Sequence, residues 1–135
     1  MNCARITLTV AQGALNEAEY LFDEPARCVL GRADGCDIRV PDQWENMDVS
    51  RRHCEFEIQP PTVWVRDLQS HNGTYINGEK IGQRPAWQSA DDANETNGLA
   101  YELYDGDEVR AGHIVLRIGI VKGEAAKQEG PVYSA

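Results

Sequence analysis

Several things are scarce in this chain, and each scarcity closes off a class of protein. No apolar run approaches the roughly 20 residues that a membrane helix needs, so a span across a bilayer is not expected. Residues 1–10 alternate apolar and polar and lack a basic stretch followed by an apolar core, so a secretory leader is not expected and the cytoplasm is the expected location. Bases are few: 13 Lys and Arg stand against 22 Asp and Glu, a net charge of −9. That balance argues against nucleic acid or an anionic membrane surface as a partner. The four cysteines, at positions 3, 28, 36 and 54, form no C-x2-C pair of the kind zinc sites use. They read as free and mostly buried thiols. Helical periodicity is scarce as well.

What the chain does have is alternation with a period of two. Arg5-Ile6-Thr7-Leu8-Thr9-Val10 opens the series, with a turn at Gln12-Gly13 and a hairpin partner from Ala18 to Phe22. Further strands are expected at Arg27–Leu30, Asp37–Val40, Cys54–Ile58 and Thr62–Leu68, with Pro60-Pro61 as a break. Thr74-Tyr75-Ile76 faces Lys80-Ile81 across Asn77-Gly78, the strongest short hairpin signal here. Strands at Tyr101–Tyr104, Glu108–Arg110 and Ile114–Val121 close the series. Many short strands with turn signals between them predict an all-β sandwich. One domain is expected over residues 1–122, with a frayed tail over 123–135. Two segments interrupt the rhythm: Asp42–Asp48, and the polar stretch Gln83–Leu99, long enough for a helical turn.

The charge is unevenly spread. Residues 85–109 carry seven acids and no Lys or Arg, whereas residues 31–84 carry seven bases beside nine acids. An anion could therefore find a local positive site on an acidic protein. Arg39, Arg66 and Arg110 read as ordinary surface charge. Three segments stand out where those bases lie: Leu30-Gly31-Arg32, Ser50-Arg51-Arg52-His53, and Asn72-Gly73-Thr74 running on to Asn77-Gly78. They offer guanidinium, hydroxyl and carboxamide donors, the set that grips a phosphate dianion. Ser50 and His53 could suggest a nucleophile and its base. No Gly-x-Ser-x-Gly elbow accompanies them and no evident carboxylate completes a triad, so catalysis is not expected. No metal or cofactor motif is seen.

The order and content of these segments, supported by Leu103-x-Asp105-Gly106-Asp107, resemble the forkhead-associated (FHA) family over about residues 5–120. The likeness is to bacterial FHA modules linked to Ser/Thr protein kinases. It implies an all-β sandwich of two antiparallel or mixed sheets whose loops at one end bind a phosphothreonine peptide. It further implies that Arg32 is the main phosphate ligand, with Ser50 and Arg51 beside it, and that Asn72 holds the peptide backbone. Gly31, His53, Gly73 and Asn77 are then expected to support the loops. At His71 many members carry threonine. An imidazole there either replaces the hydroxyl donor or points to solvent. The implied partner is a phosphothreonine-containing protein, a Ser/Thr kinase or one of its substrates. An FHA scaffold that binds a protein through its sheet face or long loop, without phosphate, is the alternative.

Overall fold

The computed structural model describes residues 4–13, 15, 17–85 and 99–123. Its eleven strands are β1 (Arg5–Gln12), β2 (Glu19–Phe22), β3 (Ala26–Gly31), β4 (Ile38–Arg39), β5 (Cys54–Gln59), β6 (Thr62–Asp67), β7 (Thr74–Ile76), β8 (Glu79–Gly82), β9 (Tyr101–Leu103), β10 (Glu108–Ala111) and β11 (Ile114–Val121). They form a six-stranded sheet in the order β2-β1-β11-β10-β7-β8 and a five-stranded sheet in the order β4-β3-β5-β6-β9. All pairings are antiparallel except β3 with β4, which makes the second sheet mixed. The expected sandwich is the observed fold.

The alternation explains the strands. In β1, Ile6, Leu8 and Val10 are buried, while Thr7 and Thr9 between them stay partly open. In β5, Cys54, Phe56 and Ile58 turn inward and Glu55 and Glu57 outward. Those two acids meet Arg66 of β6, whose Nε and Nη2 lie 3.6 and 3.3 Å from their carboxylates. The inward residues of both sheets join one core, with Ile6, Leu8, Leu116 and Ile118 from one and Leu30, Phe56, Val65 and Leu103 from the other. Burying each such side chain is worth roughly 1.5–3 kcal/mol. Cys28 and Cys54 belong to this core, and burial pushes the Cys28 thiol up to about 12.

Two details were not anticipated. The Asp42–Asp48 segment contains a single 3₁₀ turn, Trp44–Asn46. The peptide bond between Pro60 and Pro61, in the β5–β6 turn, is cis. The helical turn expected within Gln83–Leu99 and the tail after Gly123 fall outside the described residues, as does Cys3.

Candidate functional site

The site is built where β3 runs out. A Cβ added at Gly31 would lie 2.1 Å from the carbonyl oxygen of Arg51, so only glycine lets the 50–53 segment cross there. That crossing is stitched by backbone bonds. His53 N–H donates to Leu30 O at 2.8 Å, Arg32 N–H to Ser50 O at 3.2 Å, and Ala33 N–H to Arg51 O at 2.9 Å. Arg32 and Ser50, eighteen positions apart in the chain, thereby become neighbours.

The third segment is fixed to the second through His53, which is fully buried. Its Nδ1 accepts from the Ser50 N–H at 3.0 Å, and its Nε2–H donates to Gly73 O at 2.8 Å. Only the neutral ring protonated on Nε2 can make both bonds. Burial holds its pKa below the ordinary value, against the opposing pull of the Gly73 carbonyl and the Asp67 and Asp48 charges. A second knot lies behind the loop. Buried Asp67 accepts from the hydroxyls of Ser70 and Thr74 and from the Ser70 N–H, and Ser70 Oγ in turn accepts from the Gly73 N–H. Gly73 sits at φ +92°, where a side chain would be strained. Asn77, at φ +50°, ties two turns together: its Nδ2 donates to Asp107 and its Oδ1 accepts from the Glu108 N–H.

Around a cavity of about 440 Å³ stand Arg32, Ser50, Arg51, Arg52, His71 and Arg84. The Arg32 side chain is only 11% exposed. Its Nε–H donates to Val49 O at 2.6 Å, and its Nη1 donates to Asp42 Oδ1, also at 2.6 Å. Arg51 approaches the other oxygen of Asp42 at 3.9 Å. Ser50 Oγ accepts from the His71 N–H at 2.9 Å, which leaves the hydroxyl proton to give to an acceptor. Asn72 is exposed, with one amide hydrogen on Asp48 O at 3.0 Å. It lines an adjoining cavity rather than this one.

Of the residues singled out from sequence, the structure thus gathers Arg32, Ser50, Arg51 and His71 around one cavity and sets Asn72 beside it. His71 Nδ1 accepts from Arg84 Nη2 at 3.3 Å, so that nitrogen has no proton to offer an anion. Sequence reasoning missed Arg84, Arg52 and Asp42. Arg84 reaches the cavity because its N–H bonds Ser70 O at 2.8 Å, a contact with no local pattern to announce it. Arg52 was visible inside the second segment but carried no assigned role. Asp42 was marked only by the length of its loop.

Comparison with known proteins places these residues in a family. The FHA domain model matches residues 28–112, more than half of the chain. The oxoglutarate dehydrogenase inhibitor of Corynebacterium glutamicum is 40% identical over 72 residues, 53% of this chain and 47% of that protein. The glycogen accumulation regulator GarA of Mycolicibacterium smegmatis is 36% identical over 74 residues, 55% of this chain and 44% of that protein. This chain therefore spans about half the length of those relatives. A domain solved for phosphothreonine-dependent FHA domain interactions superposes with a TM-score of 0.62 at 26% identity, covering 85% of this chain and 95% of that one.

Proposed function

This chain belongs to the FHA domain family, and from that premise we propose that it binds phosphothreonine in a partner protein through the cavity at Arg32. Phosphothreonine is the product of a Ser/Thr kinase, so the partner is such a kinase or one of its substrates, met in the cytoplasm. The observation that carries this reading is the convergence of Arg32, Arg51 and the Ser50 hydroxyl on one cavity of an otherwise acidic protein. A guanidinium fork and a hydroxyl suit the oxygens of a dianion, and charge-assisted bonds of this kind are the strong ones. Asn72 lies close enough in sequence and space to take the peptide backbone, a carboxamide offering both a donor and an acceptor. Gly31, His53 and Gly73 hold the loops in that arrangement, and Asn77 steadies a turn further along.

The reading makes the protein a binder and not a catalyst. Ser50 and His53 do not form a nucleophile and base. His53 Nδ1 is occupied by the Ser50 main-chain N–H, so the ring cannot take a proton from the Ser50 hydroxyl. The names of the two curated relatives, an inhibitor and a regulator, are in keeping with a domain that acts by docking.

A calorimetric titration with a phosphothreonine peptide and its unphosphorylated twin tests the proposal. The phosphorylated form should bind and the other should not bind measurably. Equal affinity for both would refute the reading and favour a scaffold that ignores phosphate. Arg32→Ala should weaken the phosphopeptide by about 2–4 kcal/mol, roughly 30- to 900-fold. Because Arg32 is nearly enclosed, the same change should also lower stability, by about 1 kcal/mol for the lost bond to Val49 O.

A further inference from the structure

A second cavity, of about 850 Å³, adjoins the first and shares His71 and Arg84 with it. Its other polar walls are Asn72, Lys80 and Gln83. These side chains form a chain of hydrogen bonds. Lys80 Nζ donates to Gln83 Oε1 at 2.6 Å, Gln83 Nε2 donates to His71 O at 2.7 Å, and Arg84 Nη2 donates to His71 Nδ1 at 3.3 Å. Every acceptor in that chain is neutral. Among the described residues these bonds hold the cations in place without neutralising them.

This sets Lys80 and Arg84 apart from most other bases. Arg27, Arg32, Arg39, Arg51, Arg66 and Arg117 each have a carboxylate within 4 Å. Among the described residues neither Lys80 nor Arg84 does. Among the described residues Arg5, Arg52, Arg110 and Lys122 also have none, but of these six bases only Lys80 and Arg84 line this cavity together. Bringing like charges together is unfavourable for the free protein, and an incoming anion relieves it. Asn72, the residue read as holding the peptide backbone, borders this cavity and not the phosphate cavity. A peptide anchored by its phosphate at Arg32 and by its backbone at Asn72 therefore carries a flanking residue over Lys80 and Arg84.

We propose that the Lys80–Arg84 cavity is a second anion subsite, taking a carboxylate or a second phosphate on a residue that flanks the phosphothreonine. The proposal rests on the phosphothreonine reading and narrows it to partners with an acidic or doubly phosphorylated target segment. Arg84 serves both cavities and Lys80 only the second, which separates their roles.

The test uses fluorescence anisotropy with an alanine-flanked phosphothreonine peptide, and with variants carrying glutamate or a second phosphothreonine singly at each flanking position. At one position glutamate should raise affinity by roughly 2- to 5-fold, the range of exposed ion pairs, and a second phosphate should raise it further. A gain from the phosphate alone would assign the subsite to doubly phosphorylated segments, and equal gains would assign it to either group. In Lys80→Gln the gain should disappear while the alanine-flanked peptide binds as it does to the wild type. Arg84→Gln should weaken both kinds of peptide. Absence of any gain in the wild type, or a gain that survives Lys80→Gln, would overturn the subsite and leave the phosphothreonine reading standing. Failure of the alanine-flanked phosphopeptide to bind the wild type would overturn both.

Discussion

At the scale of single residues, the least expected contact is the one between Arg32 and Asp42. The guanidinium proposed to take a phosphate already holds a carboxylate at 2.6 Å, and Arg51 leans toward the same group at 3.9 Å. A dianion entering the cavity must share Arg32 with Asp42 or displace it. Two negative groups on one guanidinium repel, so Asp42 acts as a built-in competitor. Arg32 does not depend on Asp42 for its position, because Nε–H stays bonded to Val49 O. Asp42→Asn should accordingly tighten phosphopeptide binding by about 2- to 5-fold, the worth of one exposed charge pair, with the larger gain at low salt. Titrations at two ionic strengths measure this, and a weaker complex would mean that Asp42 positions the arginine instead. The segments holding Arg32, Ser50 and Asn72 were legible in sequence because each stands at a turn or strand end beside a glycine or hydrogen-bonding residue. Asp42 was not legible, since nothing in a loop acid announces which guanidinium it will meet.

At the scale of elements, the strands were read from alternation, and the hairpin at Asn77-Gly78 from its turn residues. The parallel pairing of β3 with β4 was not foreseen. Two residue pairs make it, Leu30 with Ile38 and Gly31 with Arg39, too few to leave a pattern in the sequence. Nor was the knot at Asp67, whose partners lie three and seven positions away, one in the loop at Ser70 and one at the first residue of β7. That knot makes the segment carrying His71, Asn72 and Gly73 an element in its own right. Asp67→Asn tests it with little change of shape. One oxygen remains for the two hydroxyls, but an amide nitrogen then faces the Ser70 N–H, donor against donor. The buried mismatch should lower stability by about 2–3 kcal/mol. Thermal melting measures the loss, and faster amide exchange at Ser70 and Gly73 would locate it in this loop. A variant as stable as the wild type would show that β7 and β8 alone hold the loop.

At the scale of the whole molecule, the sandwich followed from strand number and alternation, whereas one contribution to its pH response comes from a single buried ring. His53 is neutral because both its nitrogens are committed, one as acceptor and one as donor. Burial keeps its folded pKa below the value of 6.5 that the unfolded chain restores. The unfolded state thus binds a proton more readily, and stability rises with pH wherever that is so. The contribution of the neutral ring is whole above 6.5 and is lost as the pH falls below it. Between pH 7.5 and 5.5 the loss amounts to at most about 1.4 kcal/mol, the limit for one group whose folded pKa lies well under the window. Carboxylates titrate mainly near pH 4, outside that range. Stability is also a cleaner measure than peptide binding, because the second proton of a phosphate is itself taken up near pH 6. Urea unfolding across the window should show the decline, and a chemical-shift titration of the His53 ring in the wild type should place its midpoint below 6.5. In His53→Gln the decline should flatten, on a protein destabilised by about 2–4 kcal/mol through the lost buried bonds. A decline as steep in His53→Gln as in the wild type, or a His53 midpoint above 6.5, would contradict the Nε2–H ring, and with it the account of how the 50–53 and 71–73 segments are tied together.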